Sequence, residues 1–342
     1  MGLFSSLFGK KEPEQKAPQA EEDPAEWLDS ADGAARVDAI STLIERWRQG
    51  DARAAEIVAP RLPDLLEDSE AMVRAAALAG VRLLRKPENL QKCESAVLAC
   101  LADPAPRVRT AAIWSAMRIA SEAAHAQVVA ALQSDDETLR FAAACALADA
   151  HNPAALPELL SALREGHRRQ EAISALMALG DPAAVAELGN LFEQESLGEF
   201  DRTQAAAGLA RFGDARGKAH LVSRIEADSD DRPIAAEWAG RLDVQEAVPA
   251  LSELAEAEGD AARGAAIRAL GRLKAPGAEQ RLLNLAGDPD GPEDLRMDAA
   301  EGLAELATPG ALDLLRKLAA EGPPELQQLC KELLLEVQAD AG

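Results

Sequence analysis

One repeated signature governs what this chain can fold into. Nine arginines, Arg36, Arg74, Arg109, Arg140, Arg169, Arg202, Arg232, Arg263 and Arg296, stand 29 to 38 residues apart, and an alanine follows each of them three positions later. The fourth position after each arginine is Ile, Leu or Ala, and the seventh is Leu, Val or Ala. The tenth is apolar in every copy but the first, where Arg46 stands. Apolar residues at these offsets form one stripe of a helix with 3.6 residues per turn. The unvarying alanine implies that helix backbones approach closely at that point.

A second, more variable helix is expected between these anchored ones. It carries Leu62-Pro63-Asp64-Leu65-Leu66, Leu156-Pro157-Glu158-Leu159-Leu160 and Val248-Pro249-Ala250-Leu251. Proline lacks an N–H and clashes with the preceding turn, so here it starts or kinks a helix. Gly180-Asp181-Pro182 and Gly213-Asp214 supply a terminating glycine and a capping aspartate in one short turn. Each unit is then helix, turn, helix, too small to bury its own apolar stripe. Stacking the units gives a continuous core. Composition agrees: 48% of residues are hydrophobic but only 3% are aromatic, with no tyrosine, so the apolar mass is mostly Ala and Leu. These are strong helix formers, and the residues that favour strands are scarce.

The array is expected over residues 26–338, with a short tail at 339–342. Residues 1–25 differ. Leu3, Phe4, Leu7 and Phe8 would share one face of a short helix, Lys10 and Lys11 follow, and a Pro/Glu/Gln/Lys/Ala stretch then reads as a disordered linker. Such a start touches a membrane weakly at most, through residues 3–11, or docks in a partner groove.

The Val/Leu-Arg-x-x-Ala helix starts (Val73-Arg74, Val108-Arg109, Leu139-Arg140, Leu295-Arg296) and the Gly-Asp-Pro turn resemble the HEAT-like repeats of bacterial proteins, including the short-repeat kind of the phycobilisome lyases. The resemblance spans residues 26–338 and implies a right-handed α-solenoid (superhelix) of about ten antiparallel helix pairs. It is nearly silent on function, because the shared residues are structural. The signature arginines, preceded by Asp68, Asp103, Asp135, Asp260 and Asp290, read as structural ladders between repeats.

Net charge is −23, from 59 acidic against 36 basic residues, which opposes binding to phosphate backbones and points away from nucleic acid. The four cysteines, Cys93, Cys100, Cys145 and Cys330, form no Cys-x-x-Cys pair. Together with the absence of a long apolar run or a secretory signal, this fits a reducing, cytoplasmic setting. Catalytic motifs are absent. Gly208 to Gly213 has P-loop glycine spacing, but Asp214-Ala215 stands where Lys-Ser/Thr would hold phosphate. His125, His151, His167 and His220 sit in different repeats, and Cys93 and Cys100 suit a core stripe. No cofactor, metal or catalytic residue is expected.

The candidate site lies off the apolar stripe. Nine residues after the anchor come Arg118, Asp149, Arg211, Arg241, Arg272 and Glu305 among others, with Arg268 one turn before Arg272. Equivalent positions align in a solenoid, so Arg211, Arg241 and Arg272 are expected to form a basic stripe on the concave face, suited to an acidic partner segment. Trp238 stands six after its anchor, where the other repeats hold small residues, and Trp114 is a candidate for the same face. The expected function is a non-enzymatic scaffold or adaptor for a protein partner. The alternatives are a lyase-type subunit handling a bilin, which the resemblance permits, and a HEAT-like DNA glycosylase, which the net charge opposes.

Overall fold

The computed structural model describes residues 24–119 and 121–340. The amphipathic start at Leu3–Lys11 and most of the polar linker lie outside the described residues. The chain forms two compact units, one ending at Ala131 and the other beginning at Leu132. The first unit opens with a 3-10 turn (Pro24–Asp29), followed by α1 (Gly33–Arg48), α2 (Ala52–Val58), α3 (Leu62–Leu65), α4 (Ala71–Val81), α5 (Pro87–Cys100), α6 (Pro106–Ala116) and α7 (Glu122–Ala131). In the second, α8 (Glu137–Asp149), α9 (Leu156–Glu165), α10 (Arg169–Leu179), α11 (Ala184–Phe192), α12 (Glu199–Arg211) and α13 (Ala215–Glu226) come first. There follow α14 (Arg232–Arg241), α15 (Val248–Glu256), α16 (Arg263–Arg272), α17 (Ala278–Gly287), α18 (Glu293–Leu306), α19 (Pro309–Glu321) and α20 (Pro324–Asp340). Among the described residues there is no strand, and the architecture is that of an α-solenoid.

The nine signature arginines fall on α1, α4, α6 and then each even-numbered helix from α8 to α18. Each anchored helix is followed by a more variable partner, split into α2 and α3 in the first repeat, and the last described helix, α20, packs on α18 and α19. In a solenoid each repeat touches only its neighbours, so a division can fall at a junction that the repeat spacing does not mark.

The alanines three after each anchor are all buried. Their small size lets anchored helices meet backbone to backbone. A Cβ on Gly271 would lie 2.5 Å from the Gly302 carbonyl oxygen, and one on Gly240 would lie 2.8 Å from Ala269 Cα. The residue six after the anchor packs into the preceding repeat: a Cβ on Gly80 would lie 2.7 Å from Leu62 on α3 and 3.4 Å from Ile44 on α1, and Ser115 Oγ donates to the Leu78 carbonyl on α4 at 2.9 Å. Pro63, Pro157 and Pro249 start their helices as expected, each one residue into α3, α9 or α15 and just after a 3-10 turn. Cys93 and Cys100 are core residues.

Anchors also tie repeats together. Arg36, Arg74, Arg109 and Arg140 each donate to the carbonyl oxygen six residues earlier, at 2.7 to 2.9 Å. Within the first unit Arg36 also reaches Asp68 and Arg74 reaches Asp103. Within the second, Arg169 reaches Asp201 in the first turn of α12 and Arg232 reaches Asp260 just before α16, whereas Arg140 pairs with Glu158 on α9 of its own repeat. Asp68, Asp103 and Asp260 accept as well from the backbone N–H two residues on, which fixes their turns.

Candidate functional site

Residues two, five and nine after an anchor share a helix face that the apolar stripe leaves free. On α14, α16 and α18 this face carries Glu237 and Arg241, Arg268 and Arg272, and Asp298, Glu301 and Glu305. Glu237 is the hub. It accepts from Arg241 at 2.9 Å and from Arg272 at 2.5 Å, and it lies 3.7 Å from Arg268. Arg272 also donates to Glu305 at 2.9 Å, while Arg268 pairs with Asp298 and lies 3.5 Å from Glu301. Burial pushes the Glu237 carboxyl up, but Arg272, Arg241 and Arg268 together hold it below the usual glutamate range. Asp298 and Glu301 go the other way, raised chiefly by burial and further by neighbouring carboxylates. The row of arginines is thus a mixed-charge network, with carboxylates interleaved between guanidiniums, and not an uncompensated basic stripe.

Trp238 is half-buried at the edge of this network. Its indole N–H donates to Gln204 Oε1 on α12 at 2.9 Å, and the Arg241 guanidinium lies 5.8 Å from its ring centroid. Both ends of the ring are therefore held. Arg211, also on α12, is exposed and has no ion-pair partner among the described residues. The structure brings Trp238, Arg241, Arg268 and Arg272 together through Glu237, with Arg211 outside the network. Trp114 and Arg118 belong to the first unit. There Trp114 is half-buried with Arg82 6.0 Å from its ring, and Arg118 donates to the Leu84 carbonyl at 3.2 Å.

A second polar cluster had no forewarning in the sequence. Thr203 is fully buried on α12 and Asp231 nearly so before α14. Thr203 Oγ1 donates to Asp231 Oδ2 at 2.5 Å and stands 3.1 Å from His220 Nε2, while Arg224 donates to Asp231 Oδ1 from Nε at 2.9 Å and from Nη2 at 2.5 Å. Phe192 meets the His220 ring edge-on. Although the residue types are those of a nucleophilic triad, the threonine hydroxyl proton is spent on the aspartate and its oxygen is sealed from solvent. Chemically the cluster is a structural tie between α12, α13 and α14. Among the described residues no three His, Cys, Asp or Glu side chains are grouped to hold a metal, and no helix is long and apolar enough to cross a membrane. The four cysteines are free, with burial pushing Cys93, Cys100 and Cys330 up to about 11 and Cys145 to about 12.

Stacked helix pairs tied by an arginine ladder define an α-solenoid repeat protein. The chain belongs to the HEAT-repeat family: that family's model matches residues 58–148, 94–177, 125–200, 227–294 and 248–334, well over half of the chain. No curated protein matches it. Among solved structures, human deoxyhypusine hydroxylase in complex with glycerol is 20% identical, with 73% of this chain and 97% of that chain covered and a TM-score of 0.31. The karyopherin Kap121p bound to the extreme C-terminus of the protein phosphatase Cdc14p is 14% identical over 92% of this chain and 37% of that chain, with a TM-score of 0.42. A full-length AP-3 complex homology model in an intermediate open conformation is 13% identical over 92% of this chain and 68% of that chain, with a TM-score of 0.46.

Proposed function

We propose that this HEAT-repeat chain is a non-enzymatic, cytoplasmic scaffold that holds a protein partner on the anchored-helix face of its second unit. The observation that supports this most is the fixation of Trp238. An indole held by Gln204 and stacked by Arg241 needs little further ordering on binding, and tryptophan with arginine is the pairing most enriched at interface hot spots. Arg211 and the exposed edge of Arg241 flank it with positive charge, which favours a partner segment bearing carboxylates. The Glu237 network serves as the rigid support beside them.

Differential affinity capture tests this reading. Native chain is compared with Trp238→Ala and with an Arg211→Glu, Arg241→Glu double variant, each checked for native helix content by circular dichroism. A partner retained by the native chain and lost by both variants supports the scaffold and this face. Equal capture by all three chains overturns the placement of the face, and no partner at all overturns the scaffold reading.

A further inference from the structure

In the first unit α4 packs on α1 and α6 on α4, and the residues one before, three after and six after the anchor lie on the buried side of these helices. In α4 these are Val73, Ala77 and Gly80, and in α6 they are Val108, Ala112 and Ser115, all buried. At the same positions α1 has Ala35, Ala39 and Thr42, small residues of the kind that admit another helix at short range. Among the described residues no anchored helix precedes α1. A groove of about 310 Å³ opens there instead, lined by Pro24, Trp27, Ala35, Asp38, Ala39 and Thr42. The 3-10 turn at Pro24–Asp29 fills the place only in part. It buries Leu28 but leaves Trp27 40% exposed at the rim.

The chain itself carries a segment suited to this seat. Pro24, where the described chain begins, is a wall of the groove, and Leu3, Phe4, Leu7 and Phe8 lie upstream with the spacing of a single helical face. The intervening residues, Gly9 to Asp23, span up to about 50 Å when extended, ample for the segment to turn back onto α1. Charge agrees as well: Lys10 and Lys11 follow the apolar face, and the exposed carboxylate of Asp38 stands at the groove. We propose that Leu3, Phe4, Leu7 and Phe8 occupy the Trp27 groove, so that the N-terminal segment caps the first unit in place of a preceding anchored helix. A repeat stripe with no neighbouring anchored helix needs such a cover to bury it.

The test uses the full chain carrying Leu7→Cys with Thr42→Cys, and as control Ser5→Cys with Thr42→Cys, which puts the thiol on the opposite face of the segment. The native thiols are buried or half-buried, with pKa values pushed up to about 11 or 12, so the engineered pair oxidises first. The expected result is an intramolecular disulfide, located by peptide mass spectrometry, that forms at least ten times faster in the Leu7 pair than in the control. In a separate Leu3→Asp, Leu7→Asp variant, amide exchange in α1 should rise and Trp27 emission should shift to the red. Equal rates in the two cysteine pairs overturn the proposal, as does a crosslink between two chains, which would place a second copy in the groove. Binding of the segment to anionic vesicles with no effect of Leu3→Asp, Leu7→Asp on α1 exchange also overturns it, in favour of a membrane role.

Discussion

Arg74 grips Asp103 with two guanidinium nitrogens, at 2.7 and 2.9 Å, across 29 residues of chain. The same aspartate accepts the Ala105 N–H at 2.8 Å, so one carboxylate both closes a turn and holds the repeat before it. Asp103→Ala removes all three bonds and leaves the Arg74 guanidinium without its ion pair in a nearly buried site. Charged hydrogen bonds of this kind contribute about 2 kcal/mol, and a loss of that order is expected in the first unit. Denaturant unfolding monitored by amide exchange in α4 and α6 measures it. Burial pushes the Asp103 carboxyl up, but Arg74 and the Ala105 N–H pull it further down, to a value below the ordinary aspartate range. Its stabilisation is therefore complete above the unfolded carboxylate pKa and disappears as pH falls through the lower folded one.

The turns inside the helix pairs of the second unit give a prediction with both signs. The residue eleven after each anchor is left-handed in all six pairs: His151, Gly180, Gly213, Asp243, Lys274 and Ala307, with φ between 48° and 80°. Only glycine adopts this conformation without strain, which costs other residues about 1–2 kcal/mol, partly offset by the greater freedom of glycine in the unfolded chain. Lys274→Gly and Ala307→Gly are expected to raise stability by about 0.5–1 kcal/mol each, and Gly180→Ala to lower it by a similar amount. Thermal unfolding of the single variants decides the matter, and a loss in Ala307→Gly would mean that the turn draws stability from elsewhere.

Legibility followed the distance over which each relationship acts. The buried alanines, the helix-starting prolines and the turn at Gly213-Asp214 are local facts, set by residues within one or two turns of each other, and they stood open in the sequence. The arginine ladder was legible, with Asp68, Asp103 and Asp260 among its acids, but not which arginine each of them meets. Arg74 meets a carboxylate 29 residues away because two successive turns are brought side by side, which spacing alone does not specify. Glu237 precedes Arg241 by four residues, a local helix pair, yet its contact with Arg272 spans 35 residues and three helices. A signal was present: Glu237, Glu301 and Glu305 occupy the same offsets as the arginines, so reading each offset for sign would have shown the interleaved charge. Thr203 and Asp231 have counterparts in Thr110 and Asp201, but His220 and Arg224 recur at no other anchor, so nothing periodic marks the cluster as a whole.

Close helix approach makes Gly271 intolerant of the smallest side chain. A Cβ there would sit 2.5 Å from the Gly302 carbonyl oxygen and 2.6 Å from its Cα, backbone atoms that cannot swing aside. Gly271→Ala is expected to cost about 1–3 kcal/mol, the usual penalty for overpacking. Gly287, at the end of α17, is the control, since the nearest atom to its added Cβ is 3.9 Å away. There the higher helix propensity of alanine should raise stability by up to about 1 kcal/mol. Denaturant midpoints of the two variants should therefore move in opposite directions.

The Thr203–His220–Asp231 cluster predicts acid sensitivity in the second unit. Because Thr203 Oγ1 spends its proton on Asp231, its lone pair accepts from His220, which fixes the neutral ring with its proton on Nε2. A second proton on Nδ1 would place a charged imidazolium near the guanidiniums of Arg224 on α13 and Arg202 on α12. The carboxylates of Glu199 and Asp231 offset these only in part. Burial first, and then Arg224, hold the His220 pKa below the ordinary histidine value of 6.5. The unfolded chain thus takes up this proton at higher pH than the folded one. Stability from this site is complete above the unfolded histidine pKa and is lost as pH falls through the depressed folded value. His220→Gln keeps an N–H donor for Thr203 and cannot titrate, so it should remove this part of the pH dependence while leaving stability at neutral pH little changed. Denaturant midpoints from pH 7.5 to 5 for both chains test it, with the His220 ring followed by NMR. Parallel curves for the two chains, or a His220 midpoint above 6.5, would show that the folded cluster does not disfavour the proton.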